Sequence, residues 1–435
     1  MRFISLVCLL GALAACDSPT DLPPTPQTPE EWLKANAHPI STLAVTSDLR
    51  DMEPLRAAIG ASRVVMLGEQ THGDGTSFLA KARLIAFLHR EMGFDVLAWE
   101  SGLYDVHEVW DHIRAGEGVI PASRRGVFGV WSQSEQVLPT LDYVASTVGT
   151  ARPLEMAGVD IQFTGSLARD SVAAHVLAFA RSIGSPVASD PEWPAAAATL
   201  TELAVTAHYA FKPSAADQAR LLRILGALRA DVAPRTAGSR EALFWSQALA
   251  NMEAFARMMW AAPPGEFRGE DGDVRDRQMG ANLLWLANVY YPGRKIIVWA
   301  HSGHIGRAMA PLRAANGWQP FATGQTVQLG AEVHRAIGAE MYSIGFTAAT
   351  GSYGYRNSAP MPIPAVVSGS LEDLFVTAGF ENAFLDLRRR PAGGEWLKDV
   401  YSSPLGYLSL RGDWTAVFDG MVFTRVMTPN TAASR

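Results

Sequence analysis

Arg63-Val64-Val65-Met66-Leu67-Gly68-Glu69-Gln70-Thr71-His72-Gly73-Asp74-Gly75, with Asp95-Val96-Leu97-Ala98-Trp99-Glu100 further on, has the pattern of two buried strands joined through a glycine-rich turn and a helix. The run up to Leu67 is apolar and of strand length, as in a strand covered on both faces. The glycines after it let backbone N–H groups approach a ligand closely. Phe78, Ala82, Ile85 and Leu88 then recur at three- and four-residue steps, the period of a helix. Thr76 or Ser77 is the expected N-cap and Gly93 the expected stop. Strand, helix, strand at this spacing is a βαβ unit with a right-handed crossover.

Two later runs are alike: Leu154 to Val159 ends at Asp160, and Lys295 to Trp299 leads into Ala300-His301. The expected strands thus run into Glu69, Glu100, Asp160 and His301. One polar residue after a strand means only that the strand has ended. Several together mark the carboxyl-end crevice where open parallel sheets bind ligands. Met341 to Phe346 and Gly420 to Thr424 are expected to complete the sheet, and Arg275 to Tyr290 to form the helix before Lys295. Between Gly165 and about Ala262 the chain is rich in Ala and Leu with helical periodicity. We expect a helical insertion there, capping the ligand face; a plain helical layer has the same pattern. The expectation is an α/β fold, a largely parallel central sheet flanked by helices with a helical cap. Residues 427–435 are expected to be a frayed polar tail.

Composition narrows the partners. The 435 residues carry 43 acidic against 37 Lys and Arg side chains, a net charge of −6, with no basic run beyond Arg388-Arg389-Arg390. That disfavours nucleic acid. At the start, Arg2 and an apolar Phe3 to Leu13 precede Leu13-Ala14-Ala15-Cys16, which resembles a bacterial lipoprotein signal. Removal of residues 1–15 would leave Cys16 to carry lipid, anchoring the chain to a membrane on its periplasmic side. Residues 16–30, with Pro19, Pro23, Pro24, Pro26 and Pro29, are expected to be an extended tether, and the folded domain to span 31–426. Of the 2 cysteines, Cys8 would be removed and Cys16 acylated. No disulfide, Cys metal site or thiol nucleophile then remains.

Chemistry concentrates in two places. Glu69 and His72 stand three apart in the glycine-rich turn, where a carboxylate can fix the imidazole tautomer and raise its basicity, as a general base requires. His301-Ser302-Gly303-His304 follows a buried strand, and its histidines are candidates for metal binding, substrate orientation or proton transfer. His107-Glu108 with His112 is one residue too long for the H-E-x-x-H zinc signature, and its histidines would diverge by about 140° on a helix. The sequence has no G-x-S-x-G elbow, P-loop or dinucleotide fingerprint.

Gly68-Glu69-Gln70-Thr71-His72-Gly73, Gly93-Phe94 leading to Glu100, and Ala300-His301-Ser302-Gly303-His304 together resemble the erythromycin esterase family. Trp131 with Glu135, Gly158-Val159-Asp160, Arg275-Asp276 with Met279 and Asn282, and Asp419-Gly420 extend the likeness over most of the domain. The resemblance implies an α/β core with a helical cap and hydrolysis of a small-molecule ester, in the namesakes a macrolactone. His72 matches the family's water-activating base, Glu69 and Glu100 its carboxylates, and His301 and His304 its second histidine pair. The expected catalytic set is therefore His72, Glu69, Glu100 and His301, with His304, Lys81, Arg83 and Asp160 as substrate contacts. Lys81 stands where some macrolide-active members carry an arginine. Water activation by His72 requires no cofactor, although Glu69, His72, Glu100, His301 and His304 would also suit a divalent metal. The competing expectations are a haem- or metal-binding lipoprotein on the same fold and a metal-dependent peptidase or amidase.

Overall fold

Val64, Val65, Met66 and Leu67 are all fully buried and form the first strand of the main sheet, β1 (Val64–Leu67). Residues 28–45, 48–205, 212–261, 269–322 and 327–434 are described by the computed structural model. The expected signal, Cys16 and most of the expected tether lie outside the described residues. Side chains alternate across a strand, and here both faces are covered. Val64 and Met66 share a core with Val96, Ala98, Ile296 and Val298. Val65 and Leu67 share the opposite one with Leu97, Trp99, Ile297 and Trp299. Burial of each such side chain contributes roughly 1.5–3 kcal/mol, which is why an unbroken apolar run settles in the middle of a sheet.

The other strands are β2 (Phe94–Gly102), β3 (Glu155–Asp160), β4 (Lys295–Trp299), β5 (Met341–Tyr353), β6 (Asn382–Asp386) and β7 (Gly420–Met427). Their order across the sheet is β6-β7-β5-β1-β4-β2-β3. All neighbours are parallel except β6 on β7, so the fold is α/β with a largely parallel sheet. The short strand His38–Pro39 extends the β6 edge antiparallel. β4 lies between the two strands of the βαβ unit. The strands leading to Glu69, His301, Glu100 and Asp160 are therefore four consecutive neighbours, β1, β4, β2 and β3.

Helix α1 (Gly75–Met92) joins β1 to β2 and stops at Gly93, whose φ of 76° is the left-handed conformation glycine accepts readily. Its start differs from expectation. Thr76 and Ser77 lie inside the first turn, and Asp74 precedes it without capping. The Asp74 carboxylate instead turns back to accept from Thr71 N (2.7 Å) and Thr71 Oγ1 (2.8 Å), while Thr76 Oγ1 lies 2.9 Å from Thr428 Oγ1. Strand β2 also runs past Glu100 to Gly102, with a break in register against β3 between Trp99 and Gly102.

α2 (Leu103–Arg114) follows β2. The block after β3 consists of α3 (Ser166–Ser182), α4 (Trp193–Val205), α5 (Ala215–Val232) and α6 (Arg240–Ala261). It keys onto the sheet through amides: Asn251 donates to Ile161 O (2.9 Å), and Asn282 of α7 (Gly269–Trp285) donates to Val159 O (2.9 Å) and Asn251 Oδ1 (2.7 Å). These contacts seat the block beside the β3 edge. Among the described residues no helix is long and apolar enough to cross a membrane.

Both ends of the domain are more ordered than expected. Thr28 and Glu31 form a reciprocal capping box that begins a helix at Pro29, with Trp32 and Leu33 buried beneath it. The segment after β7 does not fray. Antiparallel bridges pair Asp74 with Pro429 and Ser134 with Ala432, because its backbone polar groups find partners in two loops at the sheet's carboxyl end.

Candidate active site

β1 delivers its chain to the site through Gly68. A Cβ there would stand 2.6 Å from Ser302 Oγ and 3.0 Å from Ile344 O, so only glycine lets the β1 turn and the His301 turn lie this close. Glu69 follows, wholly removed from solvent. Its Oε1 accepts from Trp131 Nε1 (3.0 Å) and from His72 Nδ1 (2.7 Å), and its Oε2 pairs with Lys81 Nζ. Lys81 reaches over from α1 and is equally buried, 4.4 Å from the centre of the Trp299 ring.

With Nδ1 given to Glu69, the working nitrogen of His72 is Nε2, which has no hydrogen-bond partner among the described residues. The His72 side chain is 24% exposed above a carboxylate that is 0% exposed. Its ring is held edge-on by Trp131 at 5.1 Å and lies 5.4 Å from the His301 ring. Burial disfavours the imidazolium, but the Glu69 hydrogen bond and the charges of Glu100 and Glu69 outweigh it, raising the pKa above 6.5. Burial likewise opposes the Glu69 carboxylate, yet Lys81 and His72 hold its pKa below the ordinary value.

His301 is differently committed. Its Nε2 lies 2.7 Å from Gln70 O, and its Nδ1 accepts from Gly303 N at 3.0 Å, capping the helical turn Ser302–Ile305. One nitrogen must donate and the other accept, which fixes a neutral tautomer. Burial, then the neighbouring His72 charge, lowers its pKa to about 4. In this arrangement the single ring N–H of His301 is committed to Gln70 O and its lone pair to Gly303 N. Its backbone N–H donates to Glu100 Oε2 (2.7 Å).

His304 is the charged histidine. Its Nδ1 lies 2.8 Å from Asp276 Oδ1 and its Nε2 3.1 Å from Glu100 Oε1. Against the cost of burial, these two carboxylates raise its pKa to about 10. Arg275, also on α7, bridges Glu100 Oε1 (2.9 Å) and Asp160 Oδ2 (2.5 Å). Glu100 is held well below the carboxylate range: burial opposes this, but His304, His72 and Arg275 prevail. Asp160 thus neutralises Arg275 at the base of the site.

The structure brings Glu69, His72, Lys81, Glu100, Asp160, His301 and His304 to one end of the sheet. It does not bring Arg83. Two residues along a helix is a rotation of about 200°, so Arg83 leaves the opposite side of α1 and pairs with Asp51 Oδ1 (2.7 Å) and Thr42 O (2.7 Å). Its expected substrate contact is corrected to a structural one, and so are those of Lys81 and Asp160, whose side chains are buried in ion pairs with Glu69 and Arg275. His107 stacks on Phe244 at 3.5 Å and His112 pairs with Glu117, so these histidines do diverge. Trp131, Arg275 and Asp276 belong to the site without having been assigned a role from sequence. Each occurs among the residues carrying the family resemblance, but nothing local marks it as a partner of Glu69, Glu100 or His304. Among the described residues no group of three or more His, Cys, Asp or Glu is arranged to hold a metal ion; the acidic and imidazole groups here are spent on one another and on Lys81, Trp131 and Arg275.

The family model for erythromycin esterase matches residues 89–425. A curated relative from Bacillus subtilis (strain 168), described as the putative hydrolase YbfO, is 24% identical over 429 residues, covering 92% of this chain and 91% of its own. An erythromycin esterase type II from Escherichia coli is 22% identical over 426 residues, covering 90% and 96%. A crystal structure of a Bacillus cereus protein superposes with a TM-score of 0.75 at 20% identity, covering 93% of this chain and 98% of that one.

Proposed function

The chain belongs to the erythromycin esterase family, and we propose that it is a hydrolase of carboxylic esters in which His72 activates water. The observation that carries this is the posture of His72: Nδ1 fixed on a buried carboxylate, Nε2 unpartnered at the partly exposed edge. A water hydrogen-bonded to Nε2 gives up its proton as its oxygen attacks the ester carbonyl carbon. Glu69 stabilises the imidazolium formed, and Lys81 and Trp131 keep Glu69 ionised and oriented. His304 and Arg275, each paired with the carboxylates of Glu100, Asp276 or Asp160, are the cationic groups at this end of the sheet that could stabilise the oxyanion. Collapse breaks the carbon–oxygen bond, the leaving alkoxide takes the proton from His72, and the acid and alcohol depart. No covalent enzyme intermediate is required.

The family supports hydrolysis; the ester bond is proposed, and a macrolactone is one candidate among the esters. Incubation with a panel of alkyl, aryl and macrocyclic esters and matched amides, followed by mass spectrometry, tests it. Addition of one water to an ester is expected. Turnover of amides but no ester contradicts it. A role confined to holding haem or metal fits less well, because both ring nitrogens of His301 are already engaged. We further propose, from Leu13-Ala14-Ala15-Cys16, that this chemistry occurs at a periplasmic membrane surface. Cys16→Ala should move the protein from the membrane to the soluble fraction, and unchanged partitioning would contradict the lipid anchor.

A further inference from the structure

Segment 428–434, which follows β7, is tied to both loops that surround Glu69. Toward the His72 loop, Gly75 N donates to Thr428 O (2.8 Å) and Asn430 N donates to Gly73 O (2.9 Å). Toward the Trp131 loop, Glu135 N donates to Thr431 O (3.0 Å) and Ala433 N to Gln133 O (2.9 Å). Thr431 N also donates to Gln136 Oε1 (2.9 Å). The segment therefore lies as a strap across two loops far apart in sequence, whose meeting sets the environment of the base.

One side chain joins them. Asn430 is 2% exposed. Its Nδ2 donates to Val130 O at 3.0 Å and reaches His72 O at 3.4 Å. The first carbonyl immediately precedes Trp131, whose indole holds Glu69 Oε1; the second is that of His72 itself, whose imidazole shares the same oxygen. An amide nitrogen carries two protons and can serve two carbonyls, a task that neither a carboxylate nor a methyl group can perform. Pro429 O also packs so close to Gly75 that a Cβ there would come within 2.6 Å, so the strap and the start of α1 fit without slack.

We propose that Asn430 is a positioning residue, clamping the His72 and Trp131 loops so that Glu69, His72 and Trp131 keep their mutual hydrogen bonds. This rests on the reading of His72 as the base, but its geometric content does not depend on which substrate is turned over. Removing the amide leaves two carbonyls of separate loops without their shared donor, and the His72 ring loses its fixed distance from Glu69. A misplacement on the order of 1 Å can lower a rate as much as ~100-fold, so kcat in Asn430→Ala should fall about tenfold or more, with KM little changed.

The test is NMR titration of 13C-labelled histidine in wild type, Asn430→Ala and Asn430→Gln, the His72 signal being identified by its loss in His72→Gln. The groups facing His72 are Glu69, Glu100, His301 and His304, and only the Glu69 bond is expected to loosen. The His72 pKa should then fall toward 6.5 in Asn430→Ala. Asn430→Gln retains the amide on a longer arm and serves as the second variant should Asn430→Ala fail to fold; a misplaced amide should also lower the His72 pKa. A lowered melting temperature with an unchanged His72 titration in the folded variants would mean that the strap is only structural and overturns the proposal. A folded His72→Gln that still hydrolyses substrate would instead overturn the base assignment, so the two failures are separable.

Discussion

Lys81 and Glu69 form an ion pair with both side chains fully out of solvent, and the same carboxylate holds His72 through its other oxygen. The pair is therefore a support for the base as well as part of the core. Breaking a buried pair by removing one partner costs roughly 3–5 kcal/mol, because the other charge is left uncompensated. Lys81→Met should lose stability on that scale in chemical denaturation, and Lys81→Arg, which keeps the charge, should lose less. A Lys81→Met protein as stable as wild type would show that Glu69 is not held ionised by this partner.

The rate should depend on pH through His72. Only the neutral imidazole accepts a proton, so activity declines progressively below its pKa and rises to a plateau above it. Its pKa is raised, so the rising limb of kcat/KM should lie above 6.5. Glu69→Gln removes both a charge and a charge-assisted hydrogen bond, and should shift that limb to lower pH while lowering the plateau. A limb that stays in place would separate Glu69 from the titrating group.

His304 controls the alkaline side. Its folded pKa of about 10 lies above the ordinary 6.5, so its charged interactions stabilise the fold fully below pH 6.5 and are lost as pH rises through about 10. That loss should be on the order of a few kcal/mol, visible as a falling melting temperature across this window. Asp276→Asn removes one of the two carboxylates that hold the charge. It should flatten the dependence and move the falling limb of activity lower by about 1–3 pH units. A stability curve identical to wild type would contradict the assignment.

His301 should prove less important for turnover than its place at a strand end implies. Both its nitrogens are bound to backbone, each hydrogen bond contributing about 0.5–1.5 kcal/mol. His301→Ala should lose stability of that order and some activity through loosening of the His72 ring beside it. Loss as complete as in His72→Ala, in a folded protein, would mean that His301 exchanges protons after all.

The sheet was legible because burial on both faces leaves an unbroken apolar run, as at Val64 to Leu67 and Ile296 to Trp299, and because strands at the sheet's centre end in the crevice. The identity of the charged histidine was not. His301 and His304 look alike in sequence, and what separates them is a backbone carbonyl at Gln70 and a carboxylate on α7. Lys81 and Arg83 are equally plausible cations until the helix rotation is applied, and that rotation puts one under His72 and the other against Asp51. Trp131 stands 62 residues from Glu69, and Asn430 further still, in a polar segment that composition alone marks as frayed. Partners supplied by backbone or by distant loops leave no local pattern to find.

Whether His72 is the base is decided by the rate at which His72→Ala hydrolyses an ester that wild type turns over, with folding verified by circular dichroism and melting temperature. General-base catalysis contributes roughly 10²–10⁴-fold, so on the plateau above the His72 pKa the folded variant should be slower by about that factor, the difference shrinking as pH falls. Turnover within a few-fold of wild type in a properly folded His72→Ala protein would show that His72 is not the base.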